Sequence, residues 1–216
     1  MGLLEAIILS VIAASTPLLL AASGELLVER AGVLNLGVEG MMIMGAACGF
    51  AAAYLTESTL LGTLAGILAG MLIAAVFAAL TLGLAVNQVA TGLALTIFGL
   101  GLSGLIGAGF VGQKITPAPQ LFIPVLTDLP VIGRILFGQD AFVYASIVLV
   151  AGIWWFLYAT RPGLVLRAIG DNHGSAHALG YPVLWLRTLA VLFVGPAPAL
   201  PAPICRLPTR HSSSPA

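Results

Sequence analysis

The stretch Leu60–Phe110, LLGTLAGILAGMLIAAVFAALTLGLAVNQVATGLALTIFGLGLSGLIGAGF, carries no charge and is interrupted only by the amide pair Asn87-Gln88. A helix that crosses lipid needs roughly 20 predominantly apolar residues, so about 50 in a row exceed one crossing and predict two, folded back at the pair. The rest of the chain has the same character: of 216 residues, 60% are hydrophobic and 7% charged.

On the N-terminal side, Thr56-Glu57-Ser58 separates this stretch from a second apolar block, Val33–Tyr54, which the string NLGVEG breaks. Before it lies a polar patch, GELLVERAG, with Glu25, Glu29 and Arg30. Leu3–Ala22 is expected to be a retained first span, because Glu5 stands where a secretory signal would carry a basic residue. Pro17 should kink it, which lipid-embedded helices tolerate when neighbours satisfy the freed carbonyl.

On the C-terminal side, closely spaced prolines make Val111–Asp140 a loop or a set of short segments. Ala141–Ala159 is the fifth span, ending in an aromatic belt of Trp154, Trp155 and Tyr158. Arg161–Arg187 is the most polar long segment, and Thr188–Gly195 begins a sixth span. The expected fold is an all-α polytopic transmembrane bundle of about five complete spans plus the start of a sixth. Basic residues favour the cytoplasm, so the connection 160–187 is placed inside. Alternation then puts residues 111–140 outside, Asn87-Gln88 inside, Glu57 outside and Arg30 inside.

Eight basic and eight acidic residues cancel, which leaves no field to attract nucleic acid. Cys48 and Cys205 form neither a disulfide framework nor a metal-ligand pattern. Lys114, the sole lysine, sits in GFVGQKI, which has neither the spacing nor the hydroxyl of a phosphate-binding loop. A transporter built on this chain would draw its power from another subunit. A membrane enzyme would need a His, Asp or Glu constellation within a span, and a channel a charged ring or carbonyl filter; neither is visible.

Three groups of polar residues invite function. Asn35 and Glu39 are four apart and would share a helix face, with Gly37 and Gly40 free to loosen the backbone beside an intramembrane carboxylate. The alternative is that Glu39 snorkels to water or meets Arg30. Asn87, Gln88 and Thr91 form either a tight cytoplasmic turn or a helix break that offers amides to a solute. In TRPGLVLRAIGDNHGSAHALGYPVLWLR, a short amphipathic run ends at Gly170. Asp171-Asn172 then cap a second short helix, His173–Leu179, stopped by Gly180 and Pro182. Two capped helices with a basic rim suit docking onto a soluble partner; an ordinary solvated loop is the plainer reading. His173 and His177 have the spacing of a ligand pair but lack a third ligand beyond Asp171, so no metal is expected. Gly62, Gly66 and Gly70, with Gly45 and Gly49, read as helix packing before they read as a dimer interface.

The strings ERAGVLNLGVEGMMIMGA, NQVATGLALTIFGLGLSGL and RPGLVLRAIGDNHGSAHALG together resemble the permease subunits of bacterial ABC importers. The resemblance covers Leu18–Gly195, lies in the group of ribose-type and branched-chain amino-acid permeases, and is nearest the simple-sugar and nucleoside branch. It implies a multi-pass protein of the bacterial plasma (inner) membrane and a pathway at the interface of two permeases, this chain pairing with a paralogue or itself. It also implies a separate ATP-binding subunit, an extracytoplasmic substrate-binding lipoprotein and a small-molecule solute, with no cofactor and no catalytic residue. Asn35, Gly37, Glu39 and Gly40 match the motif of the family's second span. Gly163, Arg167, Gly170, Asn172, Ala176 and Gly180 match its cytoplasmic coupling loop.

His173 departs from the proline that many relatives carry there. The permease domain is assigned to residues 1–195, because 196–216 form an aberrant tail with five prolines between Pro196 and Pro208, unfit for a membrane helix. A shifted reading frame over Pro196–Arg206 can encode a Gly/Ala-rich span, so a truncation or frameshift near Gly195 is expected.

Overall fold

The structure, a computed structural model, describes residues 3–113 and 141–195. These form eight α-helices: α1 Leu3–Arg30, α2 Val38–Thr56, α3 Thr59–Ala78, α4 Gln88–Ala108, α5 Ala141–Ala159, α6 Arg161–Asp171, α7 His173–Ala178 and α8 Val183–Val194. Four runs are long and apolar enough to cross a membrane: Ile7–Arg30, Val38–Thr56, Thr59–Gly83 and Gln88–Ala108. A fifth qualifies when α5 is taken with α6, which bends away from it by 77°. The expected start of a sixth is α8, 12 residues long. Residues 114–140 and 196–216, on which most of the external loop and the frame-shift expectation fall, lie outside the described residues.

Leu60–Phe110 folds into two crossings as expected. The first continues from α3 through a π-helical turn, Ala79–Gly83, where the Thr81 hydroxyl donates to the Phe77 carbonyl at 2.7 Å. The chain reverses over Leu84–Asn87, with Ala85 at φ 53. The Asn87 side chain then caps α4, accepting from the amides of Val89 and Ala90. Both crossings have spanning length, which fits the turn reading of Asn87-Gln88.

Glycines set the spacing between helices. A Cβ on Gly62 of α3 would sit 2.8 Å from the Gly49 carbonyl oxygen of α2. One on Gly99 of α4 would sit 2.7 Å from the Gly40 oxygen, so backbone meets backbone where side chains would separate the helices. The Gly45/Gly49 and Gly62/Gly66/Gly70 stripes are buried inside the bundle, Gly49 facing Gly62 and Gly66. The main core joins α1 to α4 and α8 through Val28, Met41, Phe77, Leu95 and Val191. A second cluster joins α1, α5, α6 and α8 through Leu27, Leu157, Leu166 and Ala190.

Three boundaries differ from expectation. First, α1 does not stop at Ala22 but runs through the polar patch to Arg30, because Leu27 and Val28 keep a buried face while Glu29 and Arg30 stay exposed. It ends at Gly32, φ +75, where the Gly32 amide donates to the Glu29 carbonyl and the Val33 amide to the Val28 carbonyl. This is a Schellman closure, and Val33 packs in one cluster with Val28 as such closures favour. Second, residues 33–37 are not helical, so Asn35 and Glu39 do not share a helix face. The Asn35 side chain accepts from the Gly37 amide at 3.0 Å, a local bond that competes with helix formation. Third, α8 begins at Val183, so Arg187 stands inside a helix and turns inward rather than lining a loop.

Candidate functional site

The polar residues gather at one end of the bundle, around the non-helical segment 33–37. The segment connects the α1 and α2 crossings, and side chains of neighbouring helices tie down several of its backbone groups. The Leu34 amide donates to Gln88 Oε1 at 2.8 Å and the Asn35 amide to Glu25 Oε1 at 3.1 Å. The Thr96 hydroxyl donates to the Leu36 carbonyl at 3.0 Å. Asn35 is 2% exposed, its Nδ2 directed at the Met41 sulfur, 3.7 Å away. The segment is thus held between α1 and the first turns of α4. Gly92 lets it come close: a Cβ there would lie 2.9 Å from the Leu36 amide nitrogen.

The candidates divide between this cluster and the surface. Asn35, Gly37 and Gln88 meet in it, and Gly40 packs beside it on Leu95 and Thr96. Thr91 is buried but turns its hydroxyl to the Asn87 carbonyl of its own helix. Glu39 is exposed in the first turn of α2, where the positive end of the helix dipole favours a carboxylate. Asn87 is exposed as well. The sequence did not single out Glu25 or Thr96. Glu25 was hidden because the first span was expected to end at Ala22, ahead of it, and its Oε2 is buried without a hydrogen-bond partner.

The second group lies beyond α5. The Thr160 side chain caps α6, accepting from the Gly163 amide at 3.2 Å, and Pro162 occupies the first turn. Gly163, Leu166 and Ile169 form the buried face of α6. A Cβ on Gly163 would collide with the Phe156 carbonyl, and one on Gly170 with the Arg30 carbonyl, so both glycines are contact points with neighbouring helices. Arg167 is half-buried, its guanidinium 4.8 Å from the centre of the Tyr158 ring. Asn172 caps α7 through Ser175. Gly180, φ +86, closes α7 in a second Schellman arrangement, with Gly180 N–H donating to His177 and Tyr181 N–H to Ala176. Ala176 is buried; Asp171, Asn172, Ser175, His177, Leu179 and Gly180 are exposed and make up the free corner. A cleft of about 410 Å³ separates this corner from the end of α1, walled by Glu29, Arg30, Arg167 and Asp171 among others.

Arg187 joins the two groups. Its Nε donates to the Ala31 carbonyl at 3.0 Å and its Nη2 to the Ile169 carbonyl at 3.4 Å. At the opposite end of the bundle, the Tyr54 hydroxyl donates to Gln113 Oε1 at 3.0 Å. The α1 end thus meets α6 at Gly170 and the start of α4 at Gln88, while the end of α2 meets Gln113.

A profile described as branched-chain amino acid transport system / permease component matches residues 7–202. The chain belongs to this permease family. The permease is 42% identical to a putative glucose ABC transporter permease of Haloferax volcanii, over 90% of this chain and 59% of that protein. It is 32% identical to a nucleoside ABC transporter permease of Lactococcus lactis subsp. cremoris, over 89% of this chain and 64% of the relative. It is also 31% identical to a guanosine ABC transporter permease of Bacillus subtilis, over 87% and 64%. The chain therefore spans about three fifths of the length of the curated relatives it matches. No solved structure matches it.

The permease is a multi-pass membrane protein, consistent with residence in a bacterial inner membrane, and its family consists of transport components rather than enzymes. Among the described residues, no group of three or more His, Cys, Asp or Glu could hold a metal ion.

Proposed function

We propose that this permease forms the translocation pathway of an ATP-driven importer for a nucleoside or simple sugar. The observation that carries the reading is the α1–α2 connection, residues 33–37, tied to the bundle by Glu25, Gln88 and Thr96. This connection between α1 and α2 is fixed at the mouth of the bundle, where the exposed Glu39 carboxylate beside it is free to meet a solute. The pathway runs along the interface with a second permease, a paralogue or another copy. Asn35, Gly37, Glu39, Gly40, Asn87, Gln88 and Thr91 lie on or just behind its wall. Glu39, left uncovered by the bundle, supplies an acceptor for hydroxyl-rich solutes, and Asn87, whose oxygen caps α4, supplies its amide donor.

The α6–α7 corner is the coupling element on the cytoplasmic side, seated in a groove of a separate ATP-binding subunit. Gly163, Gly170 and Ala176 shape it from within, Arg167 braces it against α5, and Asp171, Asn172 and Gly180 lie on its free surface. A lipoprotein on the outer face delivers the solute. The sugar and nucleoside named for the relatives favour that solute class.

The test is uptake of labelled nucleosides, monosaccharides and branched-chain amino acids by cells with the gene deleted and restored. Loss and recovery of nucleoside or sugar uptake is expected. Loss of amino-acid uptake alone would move the assignment to that solute class, and unchanged uptake of all three would overturn it.

A further inference from the structure

We infer that Arg187 is the positioning residue that carries motion of the coupling helices to the broken segment 33–37. This rests on the importer reading above. One guanidinium here serves two helix C-termini: Nε bonds the Ala31 carbonyl at the end of α1, and Nη2 the Ile169 carbonyl in the last turn of α6. Both are carbonyls that a helix end leaves without an intrahelical donor, and both lie at the negative pole of a helix dipole. A cation from a third helix, α8, thus holds the two ends together.

The surrounding backbone makes the junction stiff. A Cβ on Gly32 would stand 2.8 Å from Arg187 Nη2 and 3.0 Å from the Gly170 Cα, so the α1 terminus, α6 and the guanidinium are in direct contact. The chain from Ala31 reaches Leu34 and Asn35 in a few residues, and their amides are fixed to Gln88 and Glu25. A displacement of α6 therefore pulls on Ala31 and Gly32, and through them on the α1–α2 connection, residues 33–37, and the start of α2. Packed, hydrogen-bonded elements carry such displacements, whereas a slack loop absorbs them.

The experiment uses the whole complex, permease with its ATP-binding subunit and binding protein, reconstituted in proteoliposomes, and measures ATP hydrolysed per solute imported. Arg187→Gln should keep the ATP-binding subunit and its hydrolysis while raising that ratio by about twofold to thirtyfold, as changes along coupling networks do. Arg187→Lys retains a cation at the end of α1 but not the fork that reaches both carbonyls. It should assemble normally and still raise the ratio, so it decides the matter if Arg187→Gln does not fold. An unchanged ratio in Arg187→Lys, with uptake and hydrolysis falling together or not at all, would overturn the linkage. An unsubstituted complex that imports no solute under ATP would instead defeat the importer reading.

Discussion

The Arg187 Nε donates to the Ala31 carbonyl at 3.0 Å across 156 residues of sequence. This bond ties α8, the helix after the α6–α7 corner, to the end of the first span. It brings the cleft of Glu29, Arg30, Arg167 and Asp171 to the same end of the bundle as the helix break. The proposed functional residues therefore lie in one half of the bundle's height, with the glycine contacts of α2, α3 and α4 deeper within it.

Glycine positions should separate cleanly by their surroundings. A Cβ at Gly40 would lie 2.7 Å from the Leu95 carbonyl oxygen and 2.8 Å from the Thr96 Cα, whereas Gly101 and Gly104 meet nothing within 4 Å. Gly40→Ala should cost about 1–3 kcal/mol through forced helix separation. Gly101→Ala and Gly104→Ala should be neutral or gain up to about 1 kcal/mol. Thermal unfolding in detergent reads the contrast, and equal shifts at all three positions would count against the close α2–α4 approach.

The α7 caps make a second test. Asn172→Ala removes the acceptor for the Ser175 amide and should cost about 1 kcal/mol, with Asn172→Ser recovering most of it. Gly180→Ala at φ +86 should cost about 1–2 kcal/mol. Faster amide hydrogen exchange confined to α7 is the expected signature; exchange unchanged from the parent would show that neighbours, not caps, hold the helix.

At the break, Gln88→Leu leaves the Leu34 amide without its acceptor and should cost about 1–3 kcal/mol, while Gln88→Glu keeps an acceptor there. Solute uptake should fall with Gln88→Leu and be largely retained with Gln88→Glu. Full uptake by the leucine variant would mean that the segment does not depend on this bond.

Much of the architecture is legible in the sequence because lipid is an unforgiving solvent. Leu60–Phe110 can satisfy its backbone only as helices, and its length dictates two of them. Asn172 and Gly180 are equally plain, since a cap acts on residues a few positions away. What escaped was decided by distant partners. Glu25 and Glu29 looked like loop residues, although Leu27 and Val28 between them are buried and draw the helix on to Arg30. Asn35 was expected on a helix, yet its own side-chain oxygen and those of Glu25 in α1 and Gln88 in α4 accept from the backbone amides of Gly37, Asn35 and Leu34 and favour a non-helical connection. Thr96 bonds a carbonyl 60 residues away, and Arg187 one 156 away. No local spacing announces either.

Sidedness bears most directly on the whole account. In a background with Cys48 and Cys205 replaced, Ser175→Cys on the exposed face of α7 and Gln113→Cys at the far end should react oppositely with a membrane-impermeant maleimide in intact cells. Gln113→Cys should be labelled from outside, and Ser175→Cys only after the cells are opened. Labelling of Ser175→Cys in intact cells would put the α6–α7 corner on the outer face, beyond the reach of any ATP-binding subunit.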